Sequence, residues 1–138
     1  MAESEDHMTY VTLIKEYAKK ILPECEHMHM LTDSPYEKET PPHVLNNFRP
    51  DFYYCHNDQL IIGEAKTDDD YNRQHSLDQY LSYLLECQKF KGLSTLILSG
   101  SWRISASYAN LVRNIQKQHE LDVHVVIINE MGPYKNFR

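Results

Sequence analysis

The chain has 138 residues, 41% hydrophobic and 25% charged, which suits one globular domain and excludes a disordered or fibrous protein. Its net charge of −6 speaks against tight, unaided binding to nucleic acid, since such binders carry an excess of Lys and Arg. No apolar run is long enough to span a membrane and the opening is acidic, unlike a signal peptide, so no membrane partner is expected; three widely spaced cysteines (Cys25, Cys55, Cys87) point to reduced thiols in the cytoplasm.

In chain order, residues 1–7 read as a solvated, disordered tail ahead of a single domain over residues 8–132. From Met8 to Leu22, apolar residues at Tyr10, Leu13, Ile14, Tyr17 and Ile21 recur at helical spacing, and Pro23 closes the element. On this helix Glu16 and Lys20 stand four apart and form a candidate surface ion pair. Cys25-Glu26-His27-Met28-His29-Met30 alternates with period two and reads as a strand, with Val44-Leu45-Asn46-Asn47 as the alternative; Pro35, Pro41 and Pro42 mark a loop between them. Cys25, His27 and His29 invite a zinc or copper reading, but no second cluster completes a tetrahedral set.

The segment from Arg49 to Lys66 carries the strongest signal. Two runs rich in aromatic and β-branched residues flank Asn57-Asp58, which reads as the two-residue turn of a hairpin. His56 then pairs with Gln59, and counting outward sets Asp51 opposite Glu64, with Lys66 on the same face. Tyr53, Cys55, Leu60 and Ile62 share that face and make it too apolar for a solvated surface. Two carboxylates and an ammonium thus converge where buried charge needs a partner or a metal. Hard oxygen ligands suit Mg²⁺ or Mn²⁺, and the small Ala65 leaves room for its carbonyl oxygen as a third ligand. Lys66 is then placed to orient a water molecule or to stabilise negative charge on a phosphate. Arg49, opposite Lys66 in this register, is a candidate phosphate clamp.

Beyond a polar loop at Thr67-Asp68-Asp69-Asp70, a helix is predicted from Gln74 to Phe90. Its packing stripe is read as Leu77, Tyr80, Leu81, Leu84, Leu85 and Gln88. His75, Gln79 and Tyr83 form a separate polar stripe, facing either water or a cleft. The last third is a β–α–β unit: a strand at Thr95-Leu96-Ile97-Leu98, a helix through Ile104, Tyr108, Leu111, Val112 and Ile115, and a strand from Val123 to Ile128. Such a crossover places both strands parallel in one sheet. Trp102 and Arg103 follow the first of them, where α/β sheets often bind ligands. Residues 133–138 are expected to be a loose tail.

Pro50-Asp51 followed by Glu64-Ala65-Lys66 resembles the PD-(D/E)XK phosphodiesterase superfamily, over about residues 8–98, and Gln79-Tyr80-Leu81-Ser82-Tyr83 fits the Gln-x-x-x-Tyr element of its RecB-like branch. The resemblance implies an α/β (mixed α+β) restriction-endonuclease-like core: a central mixed sheet bearing the motif hairpin, with helices on both faces. It implies a nuclease dependent on Mg²⁺ or Mn²⁺, with Asp51, Glu64 and the Ala65 carbonyl as metal ligands and Lys66 as the third catalytic residue. Gln79, Tyr83 and Arg49 would hold substrate, Glu16 matches an acidic residue on the family's first helix, and His27 or His29 could add an imidazole ligand favouring Mn²⁺. The expected partner is nucleic acid, DNA ahead of RNA, with a homodimer or a partner protein compensating the acidic charge. The alternatives are a nuclease-fold binding module without catalysis, and a nuclease subunit active only beside another protein.

Overall fold

The computed structural model describes residues 5–33, 42, 45 and 47–138. Among them, one six-stranded mixed sheet is covered by helices on both faces. The first helix, α1 (Glu5–Ile21), begins with Glu5 and Asp6 and ends with Lys19 and Lys20, charges that complement its dipole at both ends. It takes in residues 5–7, which the sequence had suggested were tail. Its buried stripe is Met8, Val11, Ile14 and Ala18; Tyr10, Leu13 and Tyr17 flank it and Ile21 is exposed, so the helix is rotated relative to the expected face.

Residues 24–29 are not a strand. They form a 3-10 helix (Glu24–His29), closed by Met30 N–H donating to the His27 carbonyl. The two-residue alternation of Cys25 to Met30 misleads because none of this helix's residues is buried, so no sheet face selects the pattern. The strand that precedes the hairpin is β1 (Leu31–Thr32). Of the alternative, residues 44 and 46 lie outside the described residues, while Leu45 makes an isolated bridge to Phe48.

The hairpin is as expected. Strands β2 (Phe52–His56) and β3 (Gln59–Ala65) pair from His56↔Gln59 to Phe52↔Gly63. Asn57 and Asp58 both have positive φ, 53° and 58°, the backbone that a tight two-residue turn between twisted strands requires. Beyond it come α2 (Gln74–Lys89), β4 (Leu93–Ser99), α3 (Ser105–Gln118), β5 (His124–Asn129) and β6 (Gly132–Phe137). Strand order in the sheet is β1-β2-β3-β4-β5-β6. β3, β4 and β5 are mutually parallel, so β4–α3–β5 is the predicted crossover. The expected loose tail is instead β6, antiparallel to β5. Its Gly132-Pro133-Tyr134-Lys135-Asn136 run is exposed or half-buried, as at a sheet edge, and this hid it from a hydrophobicity reading.

Alternation along the strands builds two cores. α1 packs on Phe52, Tyr54, Ile61, Ala65, Ile97 and Val126. On the opposite face, α2 and α3 cover Leu60, Ile62, Leu96, Leu98, Val125 and Ile127. Gly63 is where α1 comes closest: a Cβ there would lie 2.7 Å from Ile14 Cγ2 and 3.0 Å from Phe52 Cβ. No helix among the described residues is long and apolar enough to cross a membrane.

Candidate active site

The C-terminal end of β3 holds the convergence that the hairpin register predicts. Asp51 lies just before β2, and its Oδ2 accepts the Ala65 N–H at 2.9 Å across the hairpin mouth. Glu64, on β3, accepts a hydrogen bond from the Tyr83 hydroxyl at Oε1 (3.2 Å), while its Oε2 lies 3.5 Å from Lys66 Nζ. Lys66 Nζ also donates to Gln79 Oε1, and its backbone N–H donates to the Ser99 carbonyl at 2.9 Å, tying the residue to β4. Asp51 and Glu64 are each only 4% exposed, and Lys66 and Gln79 8%.

α2 therefore presents Gln79 and Tyr83 inward, one contacting the ammonium and the other the carboxylate. Of the expected packing stripe, Tyr80 and Leu84 are buried and Leu77 and Leu81 pack beside them, but Leu85 and Gln88 are exposed, and Gln79, Tyr83 and Cys87 are buried as well. Of the polar stripe, only His75 faces outward, edge-on to Phe48.

Burial sets the electrostatics. It pushes the Glu64 carboxyl well above the ordinary carboxylate range; the adjacent Asp51 charge pushes the same way, Lys66 opposes them less strongly, and an Asp51 hydrogen bond and His7 add smaller effects of opposite sign. Burial, then the charges of Glu64 and Asp51, also raises Tyr83, which stays a neutral donor. Two carboxyls in hydrogen-bonding contact cannot both ionise in such surroundings without added positive charge.

A third group faces the pair. His7 Nε2 on α1 lies 3.2 Å from Asp51 Oδ2. It went unseen in sequence because it follows an acidic run that reads as tail; its only trace is its place one turn before Val11 on the buried stripe. The other histidines named for this role are elsewhere. His27 Nε2 lies 3.1 Å from the carbonyls of Lys19 and Leu22, at the end of α1. His29 stacks on His56 near the hairpin turn. Glu16 is exposed and lies 3.8 Å from Lys19 rather than pairing with Lys20, and Arg49 is exposed, with no bond to the carboxylates among the described residues. Ala65 turns its methyl group into the α1 core, as expected from strand alternation.

A cleft of about 500 Å³ is lined by Asp6 and Thr67, the chain neighbours of His7 and Lys66, but by none of Asp51, Glu64, Lys66, Gln79 and Tyr83 themselves. Trp102 and Arg103, at the end of β4, form part of its rim, with the guanidinium carbon 5.8 Å from the indole centroid. The cleft is acidic at Asp68, Asp69 and Glu130; Glu130 accepts the Trp102 N–H and, at 3.3 Å, the Tyr10 hydroxyl.

No family model, curated protein or solved structure matches the chain.

Proposed function

We propose that the chain is a divalent-metal-dependent nuclease with a restriction-endonuclease-like core, acting on DNA. The observation that carries the reading is the buried cluster of Asp51, Glu64 and Lys66, braced by Gln79 and Tyr83 from α2. These are the residues on which the PD-(D/E)XK resemblance rests, and the order helix, hairpin, helix, parallel strand supports the same core. Glu64 and Asp51 suit Mg²⁺ or Mn²⁺, with His7 close enough to join them and to tilt the preference toward Mn²⁺.

When bound, the cation supplies Lewis-acid activation of water and of the phosphate. The protein's own residues do the rest. Lys66 puts a fixed positive charge where negative charge grows on the phosphate oxygens as water attacks phosphorus and the P–O ester bond breaks. Gln79 holds that ammonium in place, and Tyr83 orients Glu64. In this reading Trp102, exposed on the rim of the neighbouring cleft, is a surface on which a substrate base would stack.

The test is cleavage of labelled single-stranded, duplex and branched DNA, and of RNA, with Mn²⁺ or Mg²⁺, by the chain and by Lys66→Ala. Metal-dependent cleavage lost in the variant supports the assignment; equal turnover by a folded Lys66→Ala protein overturns it. A second reading, a nuclease subunit that needs a partner to hold substrate, is favoured by the net charge of −6 and the acidic cleft wall. It predicts Mn²⁺ binding without cleavage by the isolated chain.

A further inference from the structure

About 17 Å along the hairpin from Asp51, by strand rise, lies a second group of metal-ligating side chains. We propose that Glu26, His29 and His56 form a separate transition-metal site of the zinc class, which fastens the 3-10 helix to the hairpin turn. One ligand atom from each residue lies within 4.8 Å of the other two. The two imidazoles are stacked, with centroids 3.9 Å apart and planes 16° from parallel. His56 Nδ1 is 2.6 Å from Glu26 Oε1, so a proton lies between atoms that a cation can bridge in its place.

The surroundings orient the carboxylate. The Tyr54 hydroxyl and the Asn57 amide each donate to Glu26 Oε1 at 2.8 Å, the kind of outer contact that fixes a metal-ligating group. Hydrogen bonding alone explains Tyr54, His56 and Asn57, but leaves His29 as nothing more than a stacking partner. Two face-to-face imidazoles repel if both carry protons, whereas a shared cation needs both of them neutral. Ligands of one tetrahedral zinc lie about 3.3 Å apart, given bond lengths near 2.0–2.1 Å. Because each ring holds an ion in its own plane, binding requires one imidazole to turn out of the stack as well as release of the bridging proton. Two imidazoles and one carboxylate favour Zn²⁺, Co²⁺ or Ni²⁺ over Mg²⁺ and leave a fourth position to water. The His56 side chain is 41% exposed and that of Glu26 12%, so the ion can enter from solvent.

This inference does not depend on the nuclease reading, and its test keeps the two sites apart. The full chain carrying Asp51→Asn and Glu64→Gln is titrated with Co²⁺ in excess Mg²⁺. Visible absorption reports ligand geometry, Zn²⁺ competition reports affinity, and calorimetry in two buffers counts released protons. The expected result is one equivalent of Co²⁺ displaced by Zn²⁺ with proton release. Adding His29→Ala should weaken it by more than about tenfold, the loss that removal of even an outer-shell partner brings. Glu26→Gln should do the same, while the circular dichroism of both variants stays that of the parent. Because the His29 side chain makes no hydrogen bond among the described residues, its removal tests the site even if changes at Glu26 perturb the hairpin turn. No Co²⁺ binding by the folded parent, or equal binding by its His29→Ala variant, overturns the proposal.

Discussion

A cluster of ionisable side chains lies at each end of the β2–β3 hairpin, and the two ends treat a glutamate in opposite ways. At the mouth, Glu64 is buried beside Asp51, and desolvation raises its proton affinity well above the ordinary level. At the turn, Glu26 accepts hydrogen bonds from His56 and Tyr54, which lower its proton affinity. Sequence distance from the turn explains neither behaviour. At the mouth, between α1 and α2, desolvation of Glu64 dominates, whereas at the turn the hydrogen bonds from His56 and Tyr54 to Glu26 outweigh desolvation.

Lys66→Ala should produce the largest separation between the two ends. Removing a preorganised charge from the reacting phosphate should cost about 10²–10³ in kcat, or about 2.7–4 kcal/mol, with the fold retained. The same variant should leave Co²⁺ binding at the turn unaltered. Single-turnover cleavage together with the Co²⁺ titration checks both, and a loss at both ends would mean that the clusters are not independent.

Gly63→Ala acts on the mouth through packing. The added methyl would press on Ile14 and on Phe52 Cβ, neither of which has a free end to swing aside. A cost of about 1–3 kcal/mol is expected from such overpacking. α1 also carries His7, so a shifted helix should weaken Mn²⁺ binding at the mouth in step with the melting temperature. An unchanged melting temperature would show that α1 is not held as closely as Gly63 implies. Tyr83→Phe should have a smaller effect. It removes one hydrogen bond to Glu64, worth about 1–1.5 kcal/mol, and so lowers kcat by about tenfold with KM little changed. A variant that loses only substrate affinity would move Tyr83 from positioning Glu64 to holding nucleic acid.

These effects also show which features were legible in sequence. The hairpin register followed from turn chemistry and strand alternation, because a one-residue slip would have put Phe52 and Tyr54 on the wrong face. The β4–α3–β5 unit was legible because its apolar runs are buried on both faces. Gln79 and Tyr83 were named for the site, and the expected stripe of the helix bearing them holds at Leu77, Tyr80, Leu81 and Leu84 but not at Leu85 and Gln88. Polar residues turned inward to brace a site contradict the hydrophobic pattern that reveals a helix face. His7 was missed because its significance comes from tertiary contact with Asp51, and nothing in the local sequence encodes that contact. The Glu26, His29 and His56 group was equally hidden: His56 comes from a strand some thirty residues beyond the other two, and only folding brings it alongside.

The smallest expected effect is the one that compares the two glutamates most directly. In chelator, Glu64 has a folded-state pKa raised above its ordinary 4.5, so its contribution to stability is full below that value and is lost as pH rises through the raised one. Glu26 has the opposite sign: its contribution is present above 4.5 and is lost as pH falls through the lowered value. Melting temperatures of the metal-free protein should therefore fall toward alkaline pH because of Glu64 and toward acid partly because of Glu26. Glu64→Gln should flatten the alkaline side and raise the melting temperature there, since a neutral amide needs no counter-charge. Glu26→Gln should flatten only the acid side, and by less, because solvent at the turn screens its hydrogen-bonded charge. Mn²⁺ should restore the alkaline stability of the parent but not that of Glu64→Gln, because only the parent regains a carboxylate that the ion can neutralise. An alkaline slope unchanged by Glu64→Gln would mean that Asp51 and Glu64 are already neutralised by Lys66 and His7, and that the mouth does not need a cation.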